Sequence, residues 1–76
     1  MWIVIKTSAG ATKSVFDAAT VQQMEESGGN TVITVGGNNG GSRGANRIIH
    51  TTSISMDDII AARIKTYETS VLILKE

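Results

Sequence analysis

Arg43 and Arg47 stand four residues apart in the segment Gly36–Arg47, whose other members are five glycines, three asparagines, Ser42 and Ala45. Glycine leaves backbone N–H groups uncovered and reaches φ > 0 without steric cost. Successive N–H groups turned to one side form a concavity for an anion. A guanidinium beside them adds a planar, two-pronged contact to phosphate. Arg43 and Arg47 are therefore candidate anion partners, with Gly40 and Gly41 as candidate backbone donors. Asn38 and Asn39 would add amide contacts to a base or ribose. Trp2 and Tyr67 would stack on a nucleobase, although core packing is the commoner fate of a lone tryptophan at the start of a strand.

The same segment has a second reading. Asn39-Gly40 is a type I′ turn signal, and β-branched runs flank the segment on both sides, so it also reads as a long β-hairpin tip. It carries neither G-x-G-x-x-G nor the Walker G-K-[ST] ending. Gly41-Ser42-Arg43-Gly44 matches the G-x-x-G of KH domains, but those place the loop between helices, and here strands flank it.

Catalytic chemistry finds little support. His50 is the only histidine and there is no cysteine. Alternation places His50 on one face with Ile48 and Ile54, as expected of a structural histidine rather than a general base. Asp57 and Asp58 are adjacent in sequence and point in different directions, and a helix-cap role accounts for both. No nucleophile elbow, Walker lysine or H-E-x-x-H pattern is present. The chain reads as a non-enzyme with no cofactor and no metal site.

The elements that would position these residues follow from pattern and punctuation. Trp2–Thr7 is β-branched and apolar on both faces, which predicts a strand that is central or lies at an interface. Thr12–Phe16 returns as its hairpin partner after the turn at Ser8–Ala11. Asp17 then reads as the N-cap of a helix, with Phe16 and Val21 as a hydrophobic staple. Ala18, Val21 and Met24 share its buried face, and Gly28-Gly29-Asn30 ends it. Thr31–Val35 and Arg47–Ile54 read as strands. Ser55 to Asp58 resembles a capping box, which predicts a helix from about Met56 to Thr66 over the competing strand at Ile60–Tyr67. Val71–Leu74 is a last strand, apolar on both faces, which must pair in the sheet or with another subunit. The expected fold class is α+β, a mainly antiparallel sheet of about five strands with two helices in the order ββαββαβ. Residues 1–76 form a single domain, with a Gly/Asn-rich loop at 36–47.

Size and charge bound the partners. At 76 residues without cysteine, the chain buries only about 60–65% of its unfolded surface and has no disulfide or thiolate metal to support a small core. Oligomerisation is the remaining common source of burial, so a homo-oligomer is expected. Seven basic and seven acidic residues cancel, which argues against a nucleic-acid binder, since phosphate neutralisation supplies most of that affinity. No run approaches the roughly 20 apolar residues of a membrane span, and no secretory signal follows Met1–Ile5. A cytoplasmic location is expected.

The succession Trp2–Thr7, Lys13–Asp17, Val32–Gly37 and Ile49–Asp58 resembles short accessory proteins of phages, prophages and plasmids. These often run strand-turn-strand, short acidic helix, an x-V-I-T-V-G-G strand and an I-x-x-x-x-I strand ending in Ser or Asp. The resemblance covers about two-thirds of the chain. It implies a host-interaction or counter-defence setting, in which some small oligomeric proteins hold nucleotide immune signals without degrading them. Two functions are thus expected from different classes. One is non-catalytic binding of a phosphorylated small molecule, a cyclic nucleotide signal included. The other is a protein-interaction module that grips a host or structural protein.

Overall fold

The computed structural model describes residues 1–36, 47–65 and 70–76. The described strands are β1 (Trp2–Lys6), β2 (Thr12–Asp17), β3 (Val21–Ser27), β4 (Asn30–Val35) and β5 (Ile48–Thr52), β-branched in all but β3. One helix, α1 (Met56–Lys65), and a last strand, β6 (Val71–Lys75), complete the described elements. The strands form two three-stranded sheets, ordered β2-β1-β6 and β3-β4-β5. All neighbours are antiparallel except β1 and β6, which run parallel from Trp2 opposite Val71 to Lys6 opposite Lys75.

The sheets pack face to face. Ile3, Ile5, Phe16, Leu72 and Leu74 from the first meet Ile33 and Val35 from the second in one buried cluster, and α1 adds Ile59. Fully burying side chains of this size contributes about 1.5–3 kcal/mol each. Two threonines share this interior, and their hydroxyls are used. Thr31 Oγ1 donates to the Ile54 carbonyl at 2.7 Å and Thr52 Oγ1 to the Glu76 carboxylate at 2.7 Å. Helix α1 reaches both β3 and β6, the outer strands on one side of the two sheets, and so bridges that side.

The helix starts as its residues dictate. Ser55 Oγ accepts from the Asp58 N–H at 3.2 Å, the Ser55 carbonyl accepts from the Ile59 N–H, and Asp57 and Asp58 occupy the first turn beside the positive end of the dipole. Ile54 packs on the same cluster as Ile59, as the staple requires.

The first expected helix is absent, and the order ββαββαβ is corrected to six strands in two sheets with one α-helix among the described residues. Asp17 does cap, its carboxylate accepting from the Ala19 N–H at 3.1 Å, but it caps a single 3-10 turn, Ala18–Thr20. The chain then extends into β3. Gly28 (φ +59°) and Gly29 (φ +85°) are not a helix cap. With φ positive at both, they make the two-residue type I′ turn that returns β3 into β4, closed by Ser27 opposite Asn30. A register shift between Val21 and Gln23 explains the misleading pattern. The bulge adds one residue, so Val21 and Met24, three apart, both turn to the core. Strand β1 is central, as expected, but only one of its faces is buried. Ile3 and Ile5 point inward while Trp2 is 52% exposed.

Candidate functional site

The expected anion site can be traced only at its ends. Asn38, Asn39, Gly40, Gly41, Arg43 and Tyr67 lie outside the described residues. Val35 pairs with Ile48 at the end of the β4–β5 ladder, which sets Gly36 and Arg47 side by side where the glycine-rich segment leaves and rejoins the sheet. Arg47 is exposed. The Gly36 N–H donates to the Thr20 carbonyl at 2.8 Å, and Thr20 Oγ1 donates to the Asp17 carbonyl at 2.7 Å. Asp17 is the register partner of Trp2. Gly36 also lies against the Gln22 side chain where a Cβ would stand. Trp2 lies in the first sheet and Arg47 just ahead of β5 in the second, and the Ala18–Thr20 turn joins the two sheets at this end of the molecule.

His50 is structural in its surroundings. Its ring stacks on Phe16, with centroids 4.8 Å apart and planes 21° from parallel. Burial against that ring disfavours the imidazolium and lowers the His50 pKa from its ordinary value of 6.5.

Glu76 holds a second polar cluster. One carboxylate oxygen accepts from Lys13 Nζ at 2.7 Å, from Thr52 Oγ1 at 2.7 Å and from the Ser53 N–H at 3.4 Å. The bond from Lys13, then the bond from Thr52, hold its pKa below the usual 4.5. A shallow hollow of about 440 Å³ opens beside this cluster, with His50 and Asn30 on its wall. The cluster clamps β2, β5 and β6 together. Three donors from two other strands and the following loop meet on that one oxygen, so the cluster explains structure before chemistry.

The residues that sequence reasoning did not assemble lie on the outer face of the first sheet. Val71, Trp2 and Asp17 form one row across β6, β1 and β2, and Ile73, Val4 and Val15 form the next. Trp2, Val15, Val71 and Ile73 are 44–59% exposed. Lys6 and Lys75 close the row beyond them. Five apolar side chains on one open face make a contiguous patch of the kind that marks an interaction surface. The signal was present in the doubly apolar Trp2–Ile5 and Val71–Leu74 runs, but their shared face depends on the parallel β1–β6 pairing, which spans almost the whole chain.

No protein-family model, curated protein or solved structure matches the chain. Among the described residues, no three of His, Cys, Asp or Glu are placed to hold a metal ion, and no helix is long and apolar enough to cross a membrane.

Proposed function

We propose that the protein is a non-catalytic interaction module that works as a homodimer, joined along β6 and the apolar face beside it. The carrying observation is that β6, the outer strand of its sheet among the described residues, borders that face. Ser70 C=O accepts from the Trp2 N–H and the Glu76 N–H donates to the Lys6 C=O. The parallel ladder therefore turns the backbone groups of Leu72 and Leu74 toward β1 and those of Ile73 outward. An outward edge with apolar side chains invites another strand. Like charge sets the direction. Parallel pairing of two β6 strands would place Lys75 against the partner subunit's Lys75. Antiparallel association centred on Ile73 keeps the two Lys75 side chains apart. Light scattering tests this. The wild type is expected at twice the chain mass at micromolar concentration and Ile73→Lys at the chain mass, with unchanged circular dichroism. A monomeric wild type at high micromolar concentration removes the reading.

The juxtaposition of Gly36 with exposed Arg47 favours a second reading, the binding of a phosphorylated small molecule, a cyclic nucleotide signal included, by the segment between them. Phage accessory proteins of this kind would give such sequestration its setting. A thermal-shift series with nucleotides tests it, since a specific ligand raises stability by RT ln(1 + [L]/Kd). Each charge-assisted phosphate contact contributes about 1.5–3 kcal/mol, so Arg43→Ala or Arg47→Ala should weaken binding roughly ten- to a hundredfold. Equal shifts for wild type and both variants, or no shift with any nucleotide, end this reading.

A further inference from the structure

Only Ile59 of α1 is buried, while Ile60 and Ile64, four residues apart on its exposed side, are 45% and 66% accessible. Between them Arg63 projects from the last turn with no carboxylate partner among the described residues. Beneath this part of the helix lies a cavity of about 330 Å³. Its floor is the core itself, Ile3, Phe16 and Ile33, and Met24 forms one wall. Ile60, Ile64 and Arg63 stand at its mouth. The volume falls in the range of small-molecule sites, about 300–1,000 Å³.

We propose that this cavity binds a medium-chain aliphatic carboxylate, with the hydrocarbon chain on the Ile3–Phe16–Ile33 floor and the carboxylate on Arg63. Among the described residues the lining offers no hydrogen-bonding side chain inside, so a polar or sugar-like body would lose its water without compensation. The mouth offers one guanidinium, whose planar fork matches a carboxylate through two parallel N–H donors. A phosphate dianion would need further positive charge there, and no second cationic side chain lines the cavity among the described residues. Ile60 and Ile64 would be covered by the first carbons of the chain, which accounts for apolar side chains at the mouth. The site lies between α1 and the sheets, whereas the proposed dimer face is the outer side of the first sheet, so either reading can fail alone.

Decanoate below its micellar concentration is the probe, followed by methyl NMR and calorimetry on the wild-type chain. Saturable one-to-one binding is expected, with shifts at the Ile33, Ile60, Ile64 and Met24 methyls and none at Ile73. Arg63→Gln should weaken decanoate about tenfold or more, Arg63→Lys should recover part of that, and binding of decanol should be the same for all three. Arg63 is exposed, so these variants fold. Ala18→Phe, which fills the cavity from its wall, should abolish both ligands. Equal affinity of wild type and Arg63→Gln for decanoate overturns the proposal. So does the absence of methyl shifts, or shifts spread over Ile73 as well, which would mean surface coating.

Discussion

The imidazole of His50 stacks on the ring of Phe16 at 4.8 Å, joining β5, an outer strand of one sheet, to β2, an outer strand of the other. This contact gives the fold a pH dependence of known sign. Burial lowers the folded-state pKa below 6.5, so over the window just below 6.5 the unfolded chain takes up a proton that the folded chain refuses. Stability is therefore full above pH 6.5 and declines as pH falls toward the folded value. His50 is the only histidine, which isolates the effect. Urea midpoints at pH 7.5 and 5.5 should differ for the wild type and coincide for His50→Phe, which keeps the stack and removes the charge. A wild-type midpoint that rises on acidification would contradict the stacked, partly buried placement.

Glu76 governs a lower window. Its pKa is depressed from 4.5, chiefly by the bonds from Lys13 and Thr52, so its contribution is present above pH 4.5 and is lost as pH falls through the folded value. Glu76→Gln should lower the thermal midpoint at neutral pH and flatten the profile below pH 4.5, leaving the His50 window unchanged. Unaltered acid sensitivity in the variant would show that Glu76 does not hold β2, β5 and β6 together.

Backbone conformation alone sets the third expectation. A Cβ at Gly28 or Gly29 would meet nothing within 4 Å, yet both have positive φ. Gly28→Asn should be nearly neutral, because asparagine tolerates the left-handed region. Gly29→Val should cost about 1–3 kcal/mol in a chemical-denaturation series. Were residues 21–27 helical in solution, circular dichroism would show more helix than α1 supplies.

That turn also shows where local signals mislead. Phe16-Asp17 followed by Val21 and Met24 satisfies a helix cap, staple and apolar face. The same residues satisfy a 3-10 turn and a bulged strand. Asp17 caps either structure with one carboxylate, and a bulge turns the strand period of two into a local period of three. Only the pairing of β3 with β4 decides, and pairing is non-local. Where local chemistry had no strand alternative of equal quality, as at Ser55 to Ile59, the start of the helix was legible, while its expected end at Thr66 lies outside the described residues. Strands β2, β4 and β5 were legible from their β-branched runs and β6 from its apolar run, although only one face of β6 is buried. What adjacency in sequence could not provide was the parallel seating of β6 on β1, and with it the face that gathers Trp2, Val4, Val15, Val71 and Ile73. The Arg63 cavity was hidden for the same reason, since its floor comes from both sheets.

The proposed dimer predicts how thermal stability depends on concentration. When two folded chains separate as they unfold, mass action raises the midpoint with protein concentration. The wild-type midpoint should therefore climb over a hundredfold concentration series. Ile73→Lys should hold one midpoint throughout, because it puts a charge at the centre of the antiparallel β6 contact. Ile49→Lys is the matched control. Ile49 is 64% exposed on the outer face of the other sheet, opposite Thr34, and an exposed substitution there should change stability within about 0.5 kcal/mol. It should climb like the wild type. If Ile49→Lys abolishes the concentration dependence and Ile73→Lys keeps it, the interface lies on β5 instead. If the wild-type midpoint is itself flat, the dimer reading fails.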